Sequence, residues 1–288
     1  MVDFNKGKEV LNRFLGSEKK TTVLYENDLY MLKFPDPVRN EKIKELLSYK
    51  NNQFSEHIGC SIFKMCGFIT QETTLGYFTD SAGKEKIVVG CKDFTQHGGT
   101  LYEMSKLGNQ TAISDTRLSA TIENIYLMIN SSILIDDKVS IIDGFWDMFV
   151  IDTLIGNNDR HFGNWGILDK DGKIGLSPIY DCGSSLGALL DDDEMEKLLS
   201  NPVSFRNQEY NIISCYSING KRIFYHEIYK SPPKELKKAI NRIVPKIEVA
   251  KIHDLINSTP LISDVRKEYL KKSIDLRYEQ IIKPAFEG

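Results

Sequence analysis

The stretch DTLIGNNDRHFGNWGILDKDGKIGLSPIYDCG, residues 152–183, decides how this chain folds around its most informative side chains. An apolar run after Asn164 and a second one before Asp181 flank the turn sequence DKDGK at 169–173, which predicts a short β-hairpin. Because a hairpin returns the chain to its starting point, we expect Asn164 and Asp181 to lie side by side. Amide and carboxylate oxygens suit Mg²⁺, which takes one or two protein ligands and completes its shell with water and phosphate. The stretch therefore predicts a magnesium site.

A second acid, Asp159, lies five residues before Asn164, in a loop that follows an apolar helix. An aspartate and an asparagine at this spacing, followed by a metal-binding aspartate, form the pattern of protein kinases, in which the first aspartate accepts the proton of the substrate hydroxyl. The flanking letters differ, because the chain has NNDRHFGN and YDCG where that signature has HRD and DFG. The spacing predicts phosphoryl transfer, with Asp159 as the catalytic residue and Asn164 and Asp181 as metal ligands.

The motifs NxDRHxxN and PxYDxGS resemble those of the HipA-like bacterial serine/threonine kinases, and the resemblance covers most of the chain. It implies an α+β, two-lobed, protein-kinase-like fold. A small mixed α/β lobe would span residues 1–92 and bind ATP, and a larger, mainly helical lobe would span 93–288. The chain is most similar to a compact form of the family, so we expect the N-terminal subdomain of HipA itself, and the antitoxin partner, to be absent.

A short polar loop containing Gly16, Ser17, Lys19 and Lys20 precedes the first clear strand. Backbone N–H groups and lysines in such a loop can bind phosphates. With one glycine, it matches neither G-x-G-x-x-G nor the Walker A pattern, and an ordinary hairpin-edge loop with solvated lysines explains it equally well. The resemblance favours phosphate binding, and it implies Ser17 as a candidate for autophosphorylation.

Lys33 and Glu56 each allow two interpretations. Alternation along strand 29–34 places Lys33 on the face opposite Leu32, either as an edge lysine that reaches water or as the lysine that contacts the α- and β-phosphates. Glu56 belongs to a helix predicted over 54–66, either as a first-turn acid favoured by the helix dipole or as the partner of Lys33. The positions of both residues in the family pattern favour the paired, ATP-binding interpretation.

Two strands predicted at 72–79 and 85–94 lead to the expected boundary between the lobes. A kinase hinge binds adenine through backbone groups, and the resemblance places this hinge at Gly90–Lys92. Further helices are predicted at 6–15, 39–49, 101–107, 119–135 and 143–156, and two or three more over 232–283.

Two polar residues near Asp159 are predicted to be structural. Asp152, inside the predicted helix 143–156, should bond the loop that follows it. His161 has a side-chain pKa suited to a general base, but it neighbours an acid that already fills this role, so a packed histidine that supports the loop or Asp181 is the favoured interpretation. Zinc is not expected, because no second histidine or cysteine has ligand spacing.

The composition excludes several classes of function. The 288 residues are 41% hydrophobic and 27% charged, with a net charge of −3, which offers no bulk attraction to nucleic acid or an anionic membrane. Five cysteines without a CxxC pair indicate free thiols and synthesis in a reducing compartment. No signal peptide or membrane span is visible. We expect a protein that is cytoplasmic as made, and the resemblance allows secretion into a host cell without a signal peptide.

The motifs predict an ATP- and Mg²⁺-dependent kinase, and the resemblance implies that it phosphorylates serine or threonine hydroxyls of proteins and autophosphorylates. One alternative is a lipid or small-molecule kinase, because phosphatidylinositol kinases share the DRHxxN core. Another is a catalytically weak kinase fold that acts as a binding effector, for which the sparse phosphate loop argues.

Overall fold

A computed structural model of the chain describes residues 1–11, 20–35, 51–110 and 120–288, with the side chains of 108–110 left out. The loop residues Gly16, Ser17 and Lys19, and the helix predicted at 39–49, lie outside these residues.

The N-terminal part forms a six-stranded sheet with one helix packed on it. The strands are β1 (Val2–Asp3), β2 (Lys8–Val10), β3 (Lys20–Tyr25), β4 (Asp28–Lys33), β5 (Thr73–Thr79) and β6 (Glu85–Lys92), in the spatial order β1-β5-β6-β4-β3-β2. All neighbouring strands are antiparallel except β1 and β5. Helix α1 (Asn52–Met65) covers one face of this sheet.

Alternation along the strands gives the sheet two apolar faces. Leu32 packs in a small cluster with Phe4 and Val88 on one face, whereas Met31 joins the large core that contains the apolar side of α1. Lys33 shares the Met31 face, as the alternation predicted. The sequence therefore directs one lysine from the middle of a sheet toward a helix.

The C-terminal part is mainly helical. Its helices are α2 (Met104–Gln110), α3 (Ile122–Ser131), α4 (Lys138–Ile155), α5 (Asp192–Leu199), α6 (Pro202–Tyr210), α7 (Tyr225–Lys230), α8 (Lys234–Ile243), α9 (Val249–Ser258), α10 (Asp264–Arg277) and α11 (Lys283–Glu287). Its strands are β7 (Gly99–Glu103), β8 (Gly166–Lys170), β9 (Lys173–Leu176), β10 (Ile213–Ile218) and β11 (Lys221–Phe224).

Helix α4 is the centre of this part and carries the chain to the candidate site. Its last eleven residues include ten that are fully or nearly fully buried, and it packs against α8, α3 and the hairpin strand β9. It ends at Gly156, whose φ of 66° is the left-handed conformation that glycine adopts at helix ends without strain. No helix in the described ranges is both long and apolar enough to cross a bilayer.

The predicted hairpin is confirmed. Strands β8 and β9 pair in antiparallel register, and β7 adds a third strand beside β8. The two residues between β8 and β9, Asp171 and Gly172, both have positive φ. A two-residue hairpin turn needs this conformation, and an Asp-Gly pair adopts it readily.

Two predictions about secondary structure are corrected, and one hairpin was not predicted. Within the helix predicted at 6–15, Lys8–Val10 form β2, because the chain pairs there with β3. The helix predicted at 101–107 begins at Met104, since the residues before it pair with β8. The segment before residue 230 contains the hairpin of β10 and β11, whose Asn219-Gly220 turn is a hairpin signal that the sequence interpretation overlooked.

Candidate active site

Lys33, Glu56 and Asp181 form one ionic cluster, called here the cleft cluster. The Lys33 ammonium lies 2.9 Å from Glu56 Oε2 and 2.7 Å from Asp181 Oδ1. Lys33 is 3% exposed and Glu56 is fully buried, which excludes the edge-lysine interpretation of the first. Glu56 is in the second turn of α1, so a first-turn dipole effect does not explain it either. The structure therefore joins the sheet, α1 and the segment after the hairpin through three charges.

Glu56 also holds the backbone of the Asp181 segment. Its Oε1 accepts a hydrogen bond from the Asp181 backbone N–H at 3.0 Å. Asp181 has a φ of 58°, a left-handed conformation in which non-glycine residues are uncommon. A Cβ atom at Gly183 would lie 3.2 Å from Glu56 Oε2, so a glycine lets the segment approach the carboxylate closely. The segment is thus fixed against α1 by its backbone as well as by its side chain.

The charges determine the protonation state of Asp181. Burial alone raises the pKa of its carboxyl, but Lys33, with smaller contributions from Lys20 and Arg160, outweighs burial and lowers the pKa from 3.8 to about 2. Asp181 is therefore an anion at neutral pH. Because two carboxylates share one ammonium, the cleft cluster retains a negative charge, and 31% of the Asp181 side chain remains exposed.

Asp159 lies in the loop that follows α4, and hydrogen bonds within the loop stabilise it. The Asp159 N–H donates to Asn157 Oδ1 at 3.1 Å, and the Asn164 side-chain amide donates to the Asp159 carbonyl at 2.8 Å. Burial raises the pKa of the Asp159 carboxyl, the nearby His161 opposes this, and the Asp181 carboxylate adds to it. The Asp181 segment is adjacent to this loop, because Arg160, the residue after Asp159, donates a hydrogen bond to the Asp181 carbonyl at 3.3 Å.

Arg160 is fully buried beneath the site and forms a pair with Asp152, called here the buried clamp. Its Nε and Nη2 each donate to the Asp152 carboxylate at 3.0 Å, which makes the contact bidentate. The Asn157 side chain donates to the same carboxylate at 2.9 Å. Burial lowers the pKa of Arg160, but the Asp152 carboxylate outweighs burial and raises it well above the ordinary value. Asp152 thus bonds the following loop, as predicted.

The remaining nitrogen of Arg160 joins the two segments that carry the predicted metal ligands. Nη1 donates to the carbonyl of Asn164 at 3.0 Å, to that of Asp181 at 3.3 Å, and to that of Tyr180. Two backbone carbonyls that reach the same nitrogen must belong to adjacent chain segments. The structure therefore brings Asn164 and Asp181 together through Arg160. Arg160 is the arginine of the DRH motif, and the sequence analysis assigned no role to it.

The donor set fits a hard divalent cation. Asn164 uses its amide nitrogen for the Asp159 carbonyl, which leaves its Oδ1 as the atom suited to a cation, and Asp181 supplies an ionised carboxylate. Oxygen ligands of this kind suit Mg²⁺, which keeps several waters or phosphate oxygens. In the described residues, no group of three His, Cys, Asp or Glu side chains converges as a metal centre.

His161 differs from its prediction. Its side chain is exposed, and its Nδ1 accepts a hydrogen bond from the Gly163 N–H at 3.0 Å. It supports the loop as expected, but from the solvent side and without being packed, because the buried position is taken by its neighbour Arg160. The burial of a charged arginine beside an exposed histidine is set by the position of Asp152, which sequence spacing alone does not show.

Gly90 and Lys92 are engaged in the sheet. Gly90 pairs with Leu32 and Thr74 in the interior of β6, and a Cβ atom there would lie 2.3 Å from the Phe4 ring. The Lys92 N–H donates to the Glu72 carbonyl at 2.8 Å. Since these contacts occupy the main chain, the geometry gives no support to adenine binding at these two positions.

The lysines at the edge of the site differ in their contacts. Lys92 forms an ion pair with Asp28 at 2.7 Å, away from the cleft cluster. Lys20 begins β3 opposite Lys33 and is close enough to lower the pKa of Asp181. Among the four residues of the loop predicted to bind phosphate, the structure describes only Lys20. This lysine lies near the cleft cluster.

Comparisons with known proteins agree with this arrangement. The sequence model of the family described as HipA-like C-terminal domain matches residues 14–250 of this chain. The serine/threonine-protein kinase CtkA of Helicobacter pylori is 37% identical, over 91% of this chain and 80% of that protein. The crystal structure of the H. pylori proinflammatory kinase CtkA has a TM-score of 0.89 at 36% identity, with 99% of this chain and 96% of that chain covered.

A more distant structure shows the same fold. Shewanella oneidensis HipA, solved with HipB and operator DNA, has a TM-score of 0.55 at 13% identity and covers 98% of this chain and 68% of that one. The predicted fold class, a two-lobed protein-kinase-like α+β fold, is confirmed by the architecture and by these neighbours.

Proposed function

The chain belongs to the family of HipA-like C-terminal domains, and we propose that it uses ATP and Mg²⁺ to phosphorylate serine and threonine hydroxyls of proteins. Its enzyme class follows from its family and its relative: it is a HipA-like serine/threonine protein kinase. ATP, Mg²⁺ and the roles of individual residues belong to the proposal.

The cleft cluster is the observation that carries this proposal. Lys33 is buried between two carboxylates, and one of them, Asp181, is partly exposed beside Asp159. An ammonium fixed by a helix carboxylate and a metal-binding aspartate is the arrangement that protein kinases use for nucleotide phosphates. A purely structural ion pair would not need a third, partly exposed charge.

Each residue then has one task. Lys33 would neutralise the α- and β-phosphate oxygens, and Glu56 would keep the ammonium in position. Asn164 and Asp181 would hold Mg²⁺, which neutralises phosphate charge when it is bound. Asp159 would orient the substrate hydroxyl and accept its proton. Its raised pKa keeps the carboxylate a better base than an exposed aspartate. Positioning and charge neutralisation would carry most of the rate enhancement.

We also propose that the two parts of the chain have separate tasks. Residues 1–92 would bind the nucleotide, and 93–288 would supply the catalytic loop and the surface for a protein substrate. The chain passes from one part to the other after β6, and the adenine would bind near this crossing. The antitoxin complex in the S. oneidensis structure is a property of that protein, and no such partner is proposed here.

Transfer of label from γ-labelled ATP tests the proposal. We expect wild-type protein with Mg²⁺ to label itself or a generic protein substrate. Asp159→Ala should lose this label, because the hydroxyl loses its base. Asp254→Ala is the matched control, since Asp254 is an exposed aspartate of α9 far along the chain from the site. We expect it to label as the wild type does.

Other results of this experiment would overturn the proposal. Label that enters lipid and no protein would indicate a lipid kinase. Nucleotide binding without any transfer would indicate a binding effector. Transfer of label from α-labelled ATP would indicate that a nucleotidyl group, rather than a phosphoryl group, is moved.

A further inference from the structure

Ser184 contacts the carboxylate of Asp159. Its Oγ donates to Asp159 Oδ2 at 3.4 Å, and no other hydroxyl in the described residues bonds to this carboxylate. The distance is long for an O–H···O hydrogen bond, but such contacts in sites without substrate are often long and shorten when the reacting groups are bound. Ser184 therefore stands where the substrate hydroxyl of the proposed reaction would stand.

The backbone on both sides of Ser184 is held in place. Gly183 is buried against Glu56, on the side of the cleft cluster. On the other side, the Leu186 N–H donates to the carbonyl of Ile155, at the end of α4, at 2.9 Å. Leu186 also has a φ of 55°, which turns the chain sharply after the serines. The Ser184 hydroxyl is thus presented by a short anchored turn between Asp181 and α4.

The neighbouring serine provides a contrast. Ser185 is buried, and its Oγ donates to the Cys182 carbonyl at 2.7 Å, within the turn itself. Ser184 is only partly buried and directs its hydroxyl at the candidate base. Two adjacent serines with the same chemistry therefore differ in what they face.

We propose that Ser184 is a phosphorylation site of this enzyme, modified in cis by the same active site; this rests on the proposed function. Ser184 Oγ would attack the γ-phosphorus of a bound nucleoside triphosphate. A new O–P bond would form, the bond between the γ-phosphorus and the β,γ-bridging oxygen would break, and the nucleoside diphosphate would leave. The hydroxyl proton would pass to Asp159.

The product would limit the enzyme's own activity. A phosphoserine carries close to two negative charges at neutral pH, and here it would lie beside the Asp159 and Asp181 carboxylates. Like charges at this distance repel, so the phosphorylated turn would oppose the binding of nucleotide phosphates. It would also occupy the position of an incoming substrate hydroxyl.

Mapping of phosphate on intact protein tests the site. We expect phosphatase-treated wild-type protein, incubated with Mg²⁺ and ATP, to gain phosphate on the peptide that contains Ser184. Ser184→Ala should lose phosphate from this peptide, Ser184→Thr should gain it on the threonine, and Ser185→Ala should keep it on Ser184. Phosphate on Ser185, or on no residue of this turn, would overturn the inference.

The dependence on concentration tests the cis route. The rate constant for Ser184 modification should not change when wild-type protein is diluted. Full-length Asp159→Ala protein mixed with the wild type should stay unmodified at Ser184. Modification of that variant by the wild type would show transfer in trans and contradict the inference.

A binding measurement gives a readout that does not depend on turnover. Protein modified at Ser184 should bind a non-hydrolysable ATP analogue more weakly than phosphatase-treated protein, and Ser184→Ala should be insensitive to both treatments. Equal affinity of the two forms would contradict the self-limiting role. A protein that phosphorylates other substrates but not Ser184 would leave the proposed function intact, whereas absence of all transfer would overturn both.

Discussion

The cleft cluster and the buried clamp are adjacent ion clusters with different electrostatics. Arg160 of the clamp reaches the Asp181 carbonyl, so the two share a boundary. In the clamp, one guanidinium meets one carboxylate, and Asp152 and Arg160 are 1% and 0% exposed. In the cleft cluster, two carboxylates share the Lys33 ammonium, and one of them, Asp181, is 31% exposed. The comparison teaches that a neutral, sealed pair supports structure, whereas a pair with surplus charge at the surface is prepared for a cation.

The largest effect is expected from breaking the clamp. Arg160→Met should lower the free energy of unfolding by about 3–5 kcal/mol, because the buried Asp152 carboxylate loses its counter-ion. Urea unfolding followed by circular dichroism measures this. Arg242→Met is the matched control, since Arg242 is 35% exposed and pairs with Asp147 on the surface of the helical part. Equal destabilisation by the two variants would contradict the distinction.

The next effect separates activity from stability in the cleft cluster. Glu56→Gln removes the charge that fixes Lys33 and should lower kcat/KM for MgATP by about 10²-fold, equivalent to about 2.7 kcal/mol of transition-state stabilisation. Steady-state kinetics measures it, and Glu72→Gln, at an exposed carboxylate near Lys92, is the control expected to keep wild-type activity. Wild-type kinetics in Glu56→Gln would indicate that Lys33 does not need Glu56 to hold its position.

A smaller effect is expected from acid. Because the pKa of Asp181 is lowered from 3.8 to about 2 in the folded protein, its contribution to stability is complete above the ordinary value and is lost as the pH falls toward 2. Without metal, wild-type protein should therefore lose about 1–2 kcal/mol more stability over this range than Asp181→Asn. Urea unfolding at a series of pH values measures the difference. Parallel curves for the two proteins would show that Lys33 does not favour the ionised form.

The smallest effect is expected at the surface. Asp147→Asn breaks the ion pair with Arg242, which lies at 2.8 Å. Burial raises the pKa of Asp147 more than Arg242 lowers it, so the ion pair contributes little to the free energy of unfolding. The free energy of unfolding should change by less than about 1 kcal/mol, and phosphoryl transfer should be unchanged. A loss as large as that of Arg160→Met would remove the contrast between sealed and solvated pairs.

Local patterns predicted the parts of the site that depend on neighbouring residues. The Asp-Gly turn fixed the β8–β9 hairpin, which brings Asn164 and Asp181 together. Alternation placed Lys33 on the face toward α1. The acidic run from Asp191 is a local signal of the same kind, because Asp191 and Glu194 form the capping box of α5.

Contacts between distant segments could not be predicted in the same way. Lys8–Val10 has helix-compatible residues, but pairing with β3 makes it a strand. The Phe4 ring, which comes from the start of the chain, lies where a Cβ atom of residue 90 would be, and this contact explains why a glycine stands there. The burial of Arg160 depends on Asp152, near the end of α4, and on the Asp181 carbonyl, which follows the β8–β9 hairpin.

Metal-dependent nucleotide binding to Asp181→Asn tests the central claim most directly. Calorimetric titration with a non-hydrolysable ATP analogue, with and without Mg²⁺, should show that Mg²⁺ strengthens binding to wild-type protein and to Asp147→Asn. The account predicts that Asp181→Asn loses this Mg²⁺ dependence while remaining folded, because the surplus charge of the cleft cluster has been removed. An undiminished Mg²⁺ effect in Asp181→Asn would contradict the claim that this charge is there to hold a cation.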